Sequence, residues 1–439
     1  MYKEISEELV SFIKKSPTAF HAIEQMSQTL KANGYQELLE NESWSIIPGG
    51  RYFVTRNQSS IIAFHLGEDL EHYSFNVAAS HSDSPTFKMK ENAEIEVRGK
   101  YTQLNTEGYG GMLCSTWLDS PLSIAGRVLI RDQDCYKSQL INIDRDLVLI
   151  PNVAIHMNRN ANDGLTYNKQ VDMLPLFGSS ETKTGDFKKL IAEYLNVQVK
   201  DIYGSDLYLY NRMQPSVWGA HEEFISSPQL DDLQCAYTSL QGFLRGNNEK
   251  SINVIACFDN EEVGSGTKQG AGSTFLYDTL YRLNQSLGKT DEDFYRALAS
   301  SFMLSADNAH AVHPNHPEKT DVQNCVYMNE GVVIKSHAGQ KYTSDAVSIA
   351  IFKGLCEKAN VPVQFFSNRS DVLGGSTLGN IAMAQVSMNS VDIGLPQLAM
   401  HSSYETAGIK DTYYMIQVME EFFNSHIEKI SSNEFKVIK

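Results

Sequence analysis

The sequence predicts an α/β protein: a sheet covered on both faces by helices, interrupted by a mainly β segment. Apolar runs such as FNVAAS and INVIACF alternate with amphipathic stretches such as LDDLQCAYTSLQGFLR, the texture of a sheet buried on both sides. Between about residues 90 and 220 this gives way to short alternating segments, AEIEVRGKYTQL, LSIAGRVLIR and LVLIPNVAIHM, with turn residues between them, which reads as a β-rich insert. Several of the apolar runs stop at histidines or carboxylates.

Taken in order, Leu9, Phe12 and Ile13 recur at helical spacing, and Ser16-Pro17 opens a second helix with the stripe Phe20, Ile23, Met26 and Leu30, closed by Gly34. A Ser cap, Pro in the first turn and Gly past the end are consistent punctuation. YFVTRNQSSIIAFHLG and YSFNVAASHSD read as two strands, the second buried on both faces. The insert carries one helix near DFKKLIAEYL. After it, LDDLQCAYTSLQGFLR is helical, INVIACF a strand, GSTFLYDTLYRLNQSL and DEDFYRALASS helices, and FMLSAD a strand. VPVQFFS, STLGNIAMAQVS, SVDIGLP and DTYYMIQVMEEFFNSHI continue as strand, helix, strand, helix. Residues 1–90 and 222–439 are expected to form one α/β domain, and 91–221 a second, inserted domain.

Composition narrows the function. The 439 residues are 42% hydrophobic and 21% charged, as in an ordinary folded domain. A formal net charge of −16, with no cluster of Lys and Arg, argues against nucleic acid or an anionic membrane as partner. No apolar stretch approaches the roughly 18 residues that span a bilayer. Six scattered cysteines with no C-x-x-C pair suit reduced thiols. The expected location is the cytoplasm.

Ligands of an open α/β sheet gather beyond the carboxyl ends of its strands. Here FNVAAS stops at His81-Ser82-Asp83, INVIACF at Asp259, Glu261 and Glu262, and FMLSA at Asp307; VDIGLPQLAM runs on to His401, and Asp231-Asp232 opens a helix. Histidines and carboxylates together suit Zn²⁺ and tolerate Mn²⁺ or Co²⁺. His81, Asp231, Glu262, Asp307 and His401 exceed the three ligands of a single open site, and with one shared carboxylate they suit two metals. Neighbours on an extended chain point to opposite sides, so Glu262 is expected to ligate while Glu261 serves as the base that a metal-activated water needs. Gly264, Gly266 and Gly270 read as a tight turn beside the site.

The segments ASHSDSP, YGGMLCSTWLDSPLSIAGRV, LDDL, DNEEVGSGTKQGAGS, SADNAHAVHPNH and LAMHSSYETAG together resemble the M18 family of metalloaminopeptidases, which includes the aspartyl aminopeptidases and a yeast vacuolar aminopeptidase. The resemblance runs from about residue 15 to about 425. It implies a three-layer α/β/α di-zinc peptidase domain interrupted by a β-rich oligomerisation domain, and assembly into a tetrahedral dodecamer acting on peptides. Carried over by motif, His81 and Asp307 bind one metal, Glu262 and His401 the other, and Asp231 bridges. Glu261 matches the general base, Asp83 the carboxylate that orients His81, and His156 a histidine that reaches a neighbouring subunit's active site. Tyr404 stands where many acid-preferring members have Arg, and Met112 where a third Gly is usual, so the N-terminal residue removed is acidic or neutral. Lys335, Arg369 and Asp371 are the pocket candidates.

Competing signals are weaker. His310, His313 and His316 have a metal-like spacing, but Pro314 and Pro317 break any shared helical face. GSGTKQG does not match the dinucleotide pattern and follows carboxylates that repel phosphate. GGSTL lacks the final glycine of a serine-hydrolase elbow. A carboxypeptidase or N-acyl amidohydrolase would use the same metals, and a non-enzymatic shell protein would have no need of Glu261.

Overall fold

The computed structural model describes residues 1–438. They divide into two compact units, one of residues 1–83, 216–400 and 405–438, the other of residues 84–215 and 401–404.

The first unit is built on a nine-stranded sheet in the order Gln36–Leu38, Arg51–Arg56, Ser60–Leu66, Ser251–Phe258, Ser74–His81, Phe302–Ala306, Asn389–Gly394, Val332–Lys335, Val363–Phe366. Its three central strands, Ser251–Phe258, Ser74–His81 and Phe302–Ala306, are parallel to one another and buried at every residue. Their side chains alternate between two cores. Ala78, Ile255 and Leu304 face one, with helices Tyr2–Lys14, Ala19–Ala32, Leu230–Arg245, Ala346–Ala359 and Asp411–Asn424. Val77, Val254 and Met303 face the other, with helices Phe275–Ser286, Asp291–Ser300 and Leu378–Met383. The result is three layers, helices on both faces of one sheet.

Helices Leu230–Arg245 and Asp411–Asn424 pack closely against each other. A Cβ on Gly242 would lie 2.3 Å from Met419 Cβ, and one on Gly246 2.3 Å from Phe423 Cβ. Two glycines four apart therefore let this helix, whose first turn carries Asp231 and Asp232, sit against its neighbour. Gly242→Ala would force the helices apart at a cost of about 1–3 kcal/mol.

The second unit holds a six-stranded antiparallel sheet, in the order Cys135–Asn142, Leu122–Asp132, Ile202–Asn211, Thr86–Val97, Tyr101–Tyr109, Leu176–Ser179, with its own apolar core and the helix Asp186–Leu195. Among the described residues no helix is long and apolar enough to cross a membrane.

Several sequence readings change. The second helix starts at Ala19 with Thr18 in the cap position, because the Ser16 hydroxyl is spent on Phe12 O at 2.8 Å, closing the first helix. YFVTRNQSSIIAFHLG is a hairpin of two strands, reversed at Asn57 and Gln58, both at φ 58. LVLIPNVAIHM forms isolated bridges at Val148, Leu149 and Ile150, and no strand beyond them.

Candidate metal centre

The register of the central sheet sets His81 beside Phe258, so these adjacent strands end together just before the Glu261–Glu262 turn, and Asp307 follows Ala306 one strand over. Asp231 and Asp232 complete the group from the first turn of Leu230–Arg245, where their φ/ψ are not yet helical. Carboxylates are favoured there by the orphan N–H groups and the helix dipole. Asp231 N donates to Glu405 Oε2 at 3.0 Å, and His81 N to Asp232 Oδ2 at 3.1 Å.

His81 is 1% exposed and its two nitrogens have different company. Nδ1 lies 3.1 Å from Asp83 O, a carbonyl that can only accept, so Nδ1 carries a proton and Nε2 is the nitrogen left to meet a cation. Nε2 faces Asp231 Oδ1 at 3.6 Å, Asp307 Oδ1 at 3.9 Å and Asp232 Oδ2 at 4.0 Å. These gaps are too long for hydrogen bonds. Two donors bound to one zinc at about 2.0–2.2 Å stand about 3.3–3.6 Å apart in a tetrahedral site, close to the gaps seen. Burial alone would lower the pKa of His81, but the surrounding carboxylates, Asp232 first, outweigh it and hold the ring well above the usual histidine range. A buried pocket with this excess of negative charge calls for a cation, and imidazole plus carboxylate is the donor set of zinc.

Glu261 and Glu262 stand in a short 3₁₀ turn, Glu261–Val263, between Asn260 at φ 62 and Gly264 at φ 95. The chain here is not extended, so the opposite-sides argument for their separate roles does not hold. Both offer a carboxylate oxygen to a group with His81 whose atoms all lie within 4.8 Å of one another. Burial, with Asp307, Asp83 and Asp231 nearby, pushes the Glu261 carboxyl up to about 7 against the opposing effect of His81.

Asp83 acts through more than the expected carboxylate. Its carbonyl is the nearer partner of His81 Nδ1, its Oδ1 standing at 3.4 Å. The carboxylate accepts the main-chain N–H of Glu261 at 3.1 Å and of Glu262 at 3.2 Å. One residue thus ties the imidazole to the turn that bears both glutamates.

Of the expected site residues, His81, Asp231, Asp307, Glu261, Glu262 and Asp83 come together in the first unit. Asp232 joins them and was missed as a member of the group, although it adjoins Asp231; burial holds its carboxyl well above the usual range. His401 lies in the 401–404 segment of the second unit, its Nδ1 3.1 Å from Gly111 O, which again leaves Nε2 with the lone pair. His156 is exposed in the irregular stretch after Ile150.

Among the pocket candidates, Lys335 is buried and donates to Asp307 O at 2.8 Å; burial opposes its charge, but Asp307, Tyr342 and Asp392 raise its pKa above the ordinary value. Arg369 and Asp371 pair with each other at the surface, at 2.9 and 2.8 Å. Tyr404 donates to Gln214 O.

The family profile described as "Aminopeptidase I zinc metalloprotease (M18)" matches residues 12–423. A probable M18 family aminopeptidase 2 of Clostridium novyi is 47% identical over 96% of this chain and 99% of its own length. A chain in the cryo-EM structure of the Ape4 and Nbr1 complex superposes with a TM-score of 0.93 at 35% identity, over 96% of this chain and 86% of that one. The Saccharomyces cerevisiae mApe1 dodecamer gives 0.84 at 25%, over 96% and 97%. With a matching profile over almost its whole length and relatives of this similarity, the chain belongs to the M18 family of zinc metalloaminopeptidases.

Proposed function

We propose that this chain removes the N-terminal residue, acidic or neutral, from peptides at a two-zinc centre, with Glu261 as the general base. The observation that carries this reading is the His81 environment: its Nε2 aimed at Asp231, Asp307 and Asp232 at 3.6–4.0 Å, with Glu261 beside it. His81 and Asp307 would hold one ion, Glu262 and His401 the other, and Asp231 both. Zinc, when bound, supplies the charge that polarises a scissile carbonyl and acidifies a water. Glu261 accepts the proton of the attacking water at its carboxylate and delivers it to the leaving amine nitrogen. Asp83 holds His81 by the carbonyl and the Glu261–Glu262 turn by the carboxylate.

The insert, residues 91–221, is read as an oligomerisation domain, and the assembly as a homo-oligomer, a tetrahedral dodecamer. The likeness to the mApe1 dodecamer supports the homo-oligomer. His156, exposed within one chain, would complete a neighbouring subunit's site. Six cysteines with no disulfide fit a cytoplasmic setting.

The test is steady-state release of Asp, Glu, Leu, Lys and Met reporter groups by chelated protein, with and without restored Zn²⁺, Co²⁺ or Mn²⁺. Metal-dependent release of the first residue is expected, and the ranking of the five reporters assigns the preference. No turnover with two metals bound would point instead to an amidohydrolase or a shell protein.

A further inference from the structure

We infer that Asn260 is a positioning residue, whose side-chain oxygen clasps the two limbs of the 259–272 turn and so fixes where the carboxylates of Glu261 and Glu262 stand. The inference rests on the function proposed above. Asn260 Oδ1 accepts from Thr267 Oγ1 at 2.8 Å and from Gln269 Nε2 at 2.7 Å. An amide oxygen has two lone pairs, and both are used. The backbone of Asn260, at φ 62, reverses the chain at this point, a conformation Asn tolerates better than most residues. Its carbonyl accepts Ser265 N at 2.8 Å, and Gly272 N in turn donates to Ser265 O at 3.1 Å. A Cβ on Gly270 would stand 2.3 Å from Ser265 O, so the turn is folded tightly on itself.

The turn is also attached by groups other than this side chain. On the outgoing limb, Asp83 takes the N–H groups of Glu261 and Glu262. The returning limb is pinned to the sheet: Ser60 Oγ donates to Gln269 O at 2.6 Å and Arg56 Nη1 to Lys268 O at 3.2 Å. Asp259 N also joins the limbs at their base, donating to Ser60 Oγ at 2.9 Å and to Gln269 O at 3.3 Å, and the Asn260 clasp adds a side-chain tie one residue further out. Removing it leaves both limbs anchored at their base and the fold intact, while the tip that bears the two glutamates keeps the Asp83 hydrogen bonds and loses its side-chain tie to the returning limb. A misplacement of about 1 Å at such a site can cost on the order of 10²-fold in rate.

The experiment compares Asn260→Gly and Asn260→Asp in the full oligomeric protein, using the reporter that the parent cleaves best. Glycine keeps the left-handed backbone and deletes the clasp; aspartate keeps the acceptor oxygen. For Asn260→Gly the expected result is a kcat at least tenfold below the parent, with KM within threefold, melting temperature within a few degrees, and weaker zinc retention on dialysis. Asn260→Asp is expected to recover at least threefold over the glycine variant. A smaller loss with glycine, or no such recovery with aspartate, overturns the inference. Should Asn260→Gly not yield folded protein, Thr267→Val carries the test by deleting one donor outside the glutamate pair. A threefold or greater loss in kcat then supports the clasp and a smaller one rejects it. An inactive parent would instead refute the aminopeptidase reading, which separates the two failures.

Discussion

The first unit contains two groupings of histidine with carboxylate that look alike on paper and differ in burial. His81 with Asp231, Asp232 and Asp307 sits where buried parallel strands end, and the imidazole is 1% exposed. His313, His316 and Glu318 lie in a proline-rich loop, the His316 and Glu318 side chains 61% and 60% exposed and 3.3 Å apart, the two rings 5.3 Å apart. At the surface, water solvates each group, and an ion pair is worth about 0–1 kcal/mol. At the strand ends, charge cannot be solvated, so the carboxylates need a cation, and the Asp83 carbonyl fixes which imidazole nitrogen faces them. Residue type and spacing nominate a metal site; burial and a fixed hydrogen-bond direction make one.

Substitutions can break this contrast. Glu261→Gln keeps size and hydrogen bonding but removes the proton acceptor, so kcat should fall about 10²–10⁴-fold with zinc content unchanged. Near-parental turnover would take Glu261 out of the base role. Asp83→Ala removes the carboxylate that holds the Glu261–Glu262 turn and is expected to weaken zinc binding about 10–100-fold, read by competition with a chelator. An unchanged zinc affinity would show that the Asp83 carboxylate does nothing for the metal. His156→Phe should lower activity in the intact oligomer without loss of zinc, and unchanged kinetics would remove the cross-subunit role.

A buried histidine with no carboxylate partner sharpens the contrast from the other side. His65 bonds Tyr35 OH and the Asn253 side chain, each at 2.9 Å, and burial, aided by Arg51, lowers its pKa to about 3. Between pH 6.5 and about 3 the unfolded chain binds a proton that the folded chain does not, so this residue makes stability fall as pH falls, by about 1.4 kcal/mol per unit. Denaturant titrations of metal-free protein at pH 6.5 and 4.5 should show a slope shallower by one proton in His65→Gln. An equal slope would mean that His65 takes up its proton in the folded state. The smallest effect is expected at the surface: His316→Ala should leave zinc content unaltered and stability within about 0.5 kcal/mol.

Much of this arrangement was legible beforehand, for a physical reason. A strand buried on both faces must be apolar throughout, so the polar residues that end FNVAAS, INVIACF and FMLSA stand out and share one edge of the sheet. The helices with clear apolar stripes, Ala19–Ala32 and Leu230–Arg245 among them, were equally visible. Short elements were not. The strands Ser216–Trp218, Phe224–Ser227, Glu405–Gly408, Pro396–Leu398 and Ala309–His310 form a five-stranded sheet of two- to four-residue pieces, too brief for any period to show. Ala346–Ala359, in which AVSIAIF is apolar apart from Ser348, gave no amphipathic signal. Within the site, the turn at Glu261 and the hydrogen bonds of Asp83 and Asn260 depend on side chains that meet only after folding, beyond the reach of spacing.

The central claim is that the strand-end group around His81 is the metal centre of the enzyme. Its most direct test is bound zinc per chain, measured by elemental analysis after dialysis, in parent, His81→Ala and His316→Ala proteins, each checked for the parental oligomeric state and assayed alongside. The account predicts two zinc ions per chain in the parent and in His316→Ala, and loss of both zinc and activity in His81→Ala. Full zinc content in His81→Ala, or a parent that binds none, would contradict it.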